Sequence, residues 1–135
     1  MNCLSRKIVL IFAVIIWQSS LGTNAALKDF SNVTTKNLSQ NGYYKLPDGL
    51  MLQWGYVTGS GTIKTIYLNS SFFNSDYIVS AVGVYNNTTE SVVTAPMLVS
   101  KAVSSFRMCV RYSADTGGGG YSPWPYCWIA IGRWK

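Results

Sequence analysis

The ten residues Leu46-Pro47-Asp48-Gly49-Leu50-Met51-Leu52-Gln53-Trp54-Gly55 constrain the fold more than any other stretch, because they read as turn, strand and stop. Pro47 fixes φ, and Asp48-Gly49 carries tight-turn chemistry, the glycine accepting the positive φ that a reversal often needs. Beyond the turn, Leu50, Leu52 and Trp54 alternate with Met51, Gln53 and Gly55, so the two sets face opposite sides of a strand. The more apolar set, Leu50, Leu52 and Trp54, is expected to lie on a core or against a neighbouring subunit. Gly55 would end the strand or let another backbone pass close.

The same two-residue period recurs downstream. Residues 77–85 make the best strand in the chain, with Tyr77, Val79, Ala81, Gly83 and Tyr85 on one face and Ile78, Ser80, Val82 and Val84 on the other. Both faces are mostly apolar, which predicts a central, largely buried strand. Residues 91–99 carry Pro96 and are expected at an edge or in a bulge. Residues 105–113 alternate well, placing Phe106, Met108, Val110 and Tyr112 inward and Arg107, Cys109 and Arg111 outward. The last strand, from Cys127, is apolar on both faces, so Trp128, Ile129 and Ile131 are expected in a core or subunit interface with Val79. About six or seven short strands with polar turns between them point to an all-β fold, a small antiparallel β-sandwich. No helix of any length is supported after residue 27.

Composition agrees with that reading. Charge is sparse, with eleven Lys and Arg, five Asp and Glu and no His. The surface must be covered by Ser, Thr, Asn, Gly and Tyr, a mixture poor in the residues that build surface helices. The formal charge of +6 drops by two without the first 26 residues, which carry Arg6 and Lys7 and no acid. That balance suits approach to anionic polysaccharide or lipopolysaccharide. No basic run is interleaved with aromatics, so nucleic acid is not an expected partner.

Residues 1–26 form a separate segment. Arg6 and Lys7 precede an apolar run of about ten residues, 8–17, expected to be helical and outside the fold, with small and polar residues after it. These are the parts of a secretory signal. The run falls short of the roughly 20 apolar residues a spanning helix needs, so no stable membrane span is expected. Residues 27–41 are polar, follow neither period and read as a linker or extended lead-in, which leaves 42–135 as the folded domain.

As an enzyme the chain is poorly equipped. Without histidine it lacks the usual general base at neutral pH. The acids Asp29, Asp48, Asp76, Glu90 and Asp115 are scattered, with no spacing suggesting a carboxylate pair. Neither Cys109 nor Cys127 has a His partner for nucleophilic catalysis, and no zinc spacing exists. The same two cysteines could bridge in an oxidising compartment, if their Cβ atoms came within about 4.5 Å. No cofactor is expected.

For binding the chain is well supplied. Tyrosine and tryptophan give rigid, amphipathic contact area, with Ser, Gly and Asn as adaptable hydrogen-bonding neighbours. They gather after the glycine run 117–120, itself read as a mobile loop, as Tyr121, Trp124 and Tyr126. These three, with Asn86 and Asn87, are the candidate binding residues, the rings stacking on sugar and the amides taking its hydroxyls. The competing reading packs Trp124 and Tyr126 over the end of the sandwich. Arg107 and Arg111 could meet phosphate on lipopolysaccharide or simply line a solvated face.

Residues 41–55, Asn-Gly-Tyr-Tyr-Lys-Leu-Pro-Asp-Gly-Leu-Met-Leu-Gln-Trp-Gly, resemble the opening "NGYxKLPxGLxxQWG" of the C-terminal domain of phage tail-fibre proteins. Trp128-Ile129-Ala130-Ile131-Gly132 resembles the "W-x-A-I-G" strand that closes that domain. Between them, Ser71-Phe72-Phe73 and Tyr77-Ile78-Val79 are similar to its "F-P-x-x-F … Y-x-V" middle, without the prolines. The resemblance covers about residues 41–135. It implies a small β domain at the distal end of a homotrimeric fibre, in the virion tail, touching a bacterial surface receptor such as a glycan or lipopolysaccharide. The stretch 21–29 also resembles the "LGLGxAAxxD" segment that precedes this domain in long fibres. On that reading the apolar start is the relic of a truncated prophage fibre gene, and not a signal. Two alternatives stay open: a secreted lectin-like surface protein exported through an N-terminal signal, and a structural fibre cap with no receptor contact.

Overall fold

The computed structural model describes residues 35–59, 61–85 and 91–135. The N-terminal segment expected to be helical, most of the expected linker, and Asn86 and Asn87 lie outside the described residues. Within them are nine strands and no helix: β1 (Thr35–Asn37), β2 (Gly42–Lys45), β3 (Leu50–Val57), β4 (Lys64–Tyr67), β5 (Ile78–Gly83), β6 (Val92–Ala102), β7 (Ser105–Ala114), β8 (Gly119–Tyr121) and β9 (Tyr126–Arg133). They form two antiparallel sheets, one of five strands in the order β1-β2-β3-β9-β5, the other β4-β7-β6 with β8 on β7. The all-β, antiparallel sandwich predicted from the two-residue period is the fold observed. Within the stretch read as lead-in, β1 pairs with β2, Lys36 opposite Tyr44.

The turn before β3 forms as its residues predict. Gly49 has φ of 100°, its N–H donates to Leu46 O, and the Asp48 carboxylate accepts the Leu50 N–H at 3.0 Å. The strand it launches turns the opposite way from the expectation of a core under Leu50, Leu52 and Trp54. Met51 and Gln53 are fully buried and Gly55 is buried, while Leu50 is 38 % exposed and Leu52 and Trp54 are half-buried. The reason is polar. The Gln53 amide forms a two-point bond with Ser70, Nε2 donating to Ser70 O at 2.7 Å and Oε1 accepting the Ser70 N–H at 3.2 Å. A glutamine so satisfied loses the usual penalty of burial.

The core lies between the sheets. Met51, Trp128, Ala130 and Tyr126 come from the five-stranded sheet, and Ile66, Phe106, Met108 and Val110 from the other, with Phe72 and Tyr77 filling one end. Phe106 meets Trp128 edge-on, centroids 5.1 Å apart, and Phe72 stacks on Tyr77 at 4.3 Å. The Tyr77 hydroxyl lies 2.9 Å from both the Ala102 and Ser105 carbonyl oxygens, and burial pushes its pKa up to about 12.

Three further expectations change. Residues 77–85 were expected centrally, yet β5 is the edge of its sheet, with Ile78 71 % and Val82 63 % exposed. Only the inner face, Val79 and Ala81, packs on the core. The glycine run is half strand. Gly117, at φ of 91°, turns the chain, and Gly119–Tyr121 then pairs with β7. The expectation of Cys109 facing outward fails as well, since it is buried. By contrast β6 is the predicted edge strand. It carries Pro96, and its register shifts at Val99, two devices that blunt a free strand edge.

Candidate functional site

The hairpin of β7 and β8 places the predicted aromatic segment. Arg111 and Tyr121 are direct cross-strand partners, both exposed, and the guanidinium lies 5.1 Å from the Tyr121 ring centroid. Behind them the chain is tied down. Ser122 donates its N–H to Val110 O at 2.7 Å, accepts the Gly61 N–H at 3.2 Å and is itself buried. Its hydroxyl accepts the Trp124 N–H at 3.3 Å.

Trp124 is half-buried between two tyrosines. Tyr85 meets it edge-on at 4.5 Å and Tyr112 at 4.9 Å. Each such pair is worth about 0.5–1.5 kcal/mol beyond its buried area. Tyr126 is buried among core residues, so it stands away from the surface at which a receptor would dock. Its hydroxyl has no hydrogen-bond partner, and burial, together with the neighbouring Cys109 thiol, pushes its pKa up. Of the three aromatics expected at a receptor-contact tip, the structure therefore leaves Tyr121 exposed at 41 %, Trp124 half-buried and Tyr126 buried. Period-two reasoning from Trp128 back to Tyr126 would have found the inward position. From the sequence Arg111 either meets phosphate or lines a solvated face, and its place opposite Tyr121 depends on a strand inside the glycine run.

A bridge between Cys109 and Cys127 does not form. Cys109 is buried on β7 in one sheet, whereas Cys127 sits on β9 in the other, exposed between inward-facing Tyr126 and Trp128. Their side chains diverge, and both thiols are free. Among the described residues no three His, Cys, Asp or Glu side chains group as metal ligands, and no helix is long and apolar enough to cross a membrane.

The residues expected in a core or subunit interface divide into two sets. Trp128 is in the core and Val79 packs against it. Leu50, Leu52, Trp54, Ile129 and Ile131 face away from it, on the outer side of the five-stranded sheet. Register sets Tyr44, Leu52, Ile131 and Ile78 in one row across four strands, and Trp54, Ile129 and Ser80 in the next. Ile129 and Ile131 are each 39 % exposed. The row is an apolar stripe on the outer face of the five-stranded sheet; further apolar side chains, among them Val93, Met97, Leu98 and Val99, are exposed on β6.

The family described as "Putative tail fiber protein gp53-like, C-terminal" matches residues 45–133, which span β3 through β9 and contain every residue of the Arg111–Tyr121 region. The chain belongs to this tail-fibre family. Among solved structures, the N-truncated R1-type pyocin tail fiber is 22 % identical with a TM-score of 0.50, over 74 % of this chain and 85 % of that one. An R2-type pyocin tail fiber is 17 % identical with a TM-score of 0.50, over 74 % of this chain and 37 % of that one. A longer P. aeruginosa R1 pyocin fiber is 22 % identical with a TM-score of 0.49, and 28 % of its length is covered. The R1-type and R2-type likenesses at 0.50 extend to the fold of this tail-fibre domain. Among curated proteins none matches.

Proposed function

We propose that this chain is the distal domain of a homotrimeric phage tail fibre, encoded by a prophage, which binds a glycan or lipopolysaccharide on the bacterial surface during adsorption. It acts by binding and not by catalysis. The observation that carries the reading is the exposed cross-strand pair Arg111 and Tyr121. A tyrosine ring offers a stacking face to a sugar, and a guanidinium offers forked donors to phosphate or hydroxyl. The half-buried Trp124 holds the segment beneath them. The apolar row through Leu52, Ile131 and Ile78 supports self-association, because a contiguous patch of that kind is normally covered by a partner.

The test uses the purified full chain, fluorescently labelled, on whole cells of a host panel. Arg111→Gln combined with Tyr121→Ala is expected to cut cell binding at least tenfold, with the melting temperature unchanged. A wild-type chain that stays monomeric and binds no cell envelope from the panel overturns the proposal. The burial of Tyr126 and the wedging of Trp124 favour a second reading, a structural cap of the fibre. In that case melting depends on protein concentration while the double variant adsorbs like the wild type.

A further inference from the structure

We infer that the tail-fibre domain has a second binding site, a cleft for an uncharged sugar unit between the free edges of β3 and β4. Beyond Trp54 the partner strand β2 has ended, so no strand pairs this edge of β3 at residues 55–57, where the Tyr56 N–H bonds instead to the Asn41 side chain. Across from it β4 is paired only with β7, which leaves its other edge open as well. The space between is a cleft of about 370 Å³ lined by nine residues, none of them charged. That volume lies within the range of small-molecule sites. It shares no residue with the Arg111–Tyr121 region.

The floor of the cleft carries an unspent donor. Trp128 is 5 % exposed, yet its indole N–H bonds to no described residue. The indoles of Trp54 and Trp134 behave differently, donating to Ser39 O at 3.0 Å and Leu46 O at 2.9 Å. Among the described residues the unpartnered side-chain atoms closed to solvent are the Tyr85 and Tyr126 hydroxyls, so the Trp128 indole N–H stands open to whatever enters the cleft. The absence of a side chain on Gly55 lets the indole pack close to the β3 backbone: a Cβ there would stand 2.6 Å from both the Trp128 Nε1 and the Asn41 Oδ1.

The lining supplies what a sugar hydroxyl requires. Asn41 spends its Oδ1 on the Tyr56 N–H at 2.7 Å and keeps its amide donors. Asn69 spends its Nδ2 on Asn41 O at 2.7 Å and keeps its Oδ1 as an acceptor. Thr65 adds a hydroxyl that can serve either way. At the rim Tyr67 is 79 % exposed, and its ring touches no other ring or cation among the described residues. An aromatic left so bare beside convergent donors and acceptors matches the apolar face and hydroxyl edge of a pyranose. The nine lining residues carry no charge, and the neighbouring Lys64 ammonium is spent on the Thr58 carbonyl, a lining that suits neutral units.

Tryptophan indole signals in a two-dimensional ¹H–¹⁵N spectrum of the full chain provide the test, since each region has its own reporter. Glucose, galactose, mannose and N-acetylglucosamine are titrated separately into the millimolar range. The Trp128 indole signal is expected to shift saturably with at least one of them, while those of Trp54 and Trp134 stay still. Tyr67→Ala, a change at an exposed side chain, should weaken that binding at least tenfold and leave the rest of the spectrum in place. No movement of Trp128 with any sugar, or movement that survives Tyr67→Ala unweakened, overturns the inference. A shift at Trp124 alone would overturn it too while leaving host adsorption intact, whereas a Trp128 shift without cell binding would do the reverse.

Discussion

Replacing Gln53 by methionine isolates the bond that orients β3. Methionine is unbranched and of similar length, so the packing space stays filled and no large cavity opens. What disappears is the two-point bond to Ser70, at 2.7 and 3.2 Å. Each such bond contributes about 0.5–1.5 kcal/mol net, and each polar group stranded in the interior costs about 1–3 kcal/mol. Ser70 is half-buried, so water recovers part of that cost, and the expected loss is about 2–4 kcal/mol. Urea unfolding followed by tryptophan fluorescence at fixed protein concentration should show a lower midpoint and an unchanged slope. A Gln53→Glu companion sharpens the test. Its carboxylate would face the Ser70 carbonyl inside the sandwich, and burial raises the pKa of such a group. The protonated acid, which can donate, would be favoured in the folded state. Stability of Gln53→Glu should therefore be greatest at low pH and fall as pH rises through the raised folded-state value. A Gln53→Met protein within 0.5 kcal/mol of wild type, against the full contribution expected of paired buried groups, would refute this account of why Met51 and Gln53 point inward.

Three other outcomes follow from the packing. Phe106→Ala, at a side chain 1 % exposed against Trp128, should cost about 3–5 kcal/mol in the same unfolding assay. Tyr77, whose phenol is pushed up to about 12 while an unfolded tyrosine ionises near 10, supplies stability fully present below pH 10 and lost as pH rises toward 12. Thermal melts across that window should slope downward less steeply in Tyr77→Phe, with a residual slope from Tyr126, whose pKa is also raised. In a Cys3→Ser background, a thiol reagent should modify Cys127 and spare buried Cys109 in the native protein. Modification of both at equal rates would contradict the divergent placement of the two side chains.

The parts of the fold legible in the sequence were those governed by local chemistry. Pro47-Asp48-Gly49 makes its turn from its own backbone and carboxylate bonds, and Pro96 marks an edge because it cannot donate to a second neighbour. Phe106, Met108 and Val110 point inward as their alternation predicts. The misreadings arose where a distant partner decides between two locally acceptable choices. Apolarity favoured Leu50, Leu52 and Trp54 as the inner face of β3, but Ser70, seventeen residues on from Gln53, supplies the bonds that reverse it. Residues 77–85 are apolar on both faces, yet the order of strands in a sheet is not written in any one of them. The same holds for the candidate tip. Tyr121 could be singled out by type, but its Arg111 neighbour and the wedge around Trp124 depend on Gly119 and Gly120 joining β7.

The position of β9 bears on how such a domain comes into being. It follows the other eight strands of the described residues, yet it occupies the space between β3 and β5, eight residues of it paired with β3 and six with β5. On a translating ribosome the early strands must wait, their two matching edges unzipped, until this last piece is synthesised and slides between them. A nascent fibre that stalls or is cut before residue 126 would hold a sheet with a missing middle, open to pairing with the β9 of another nascent chain.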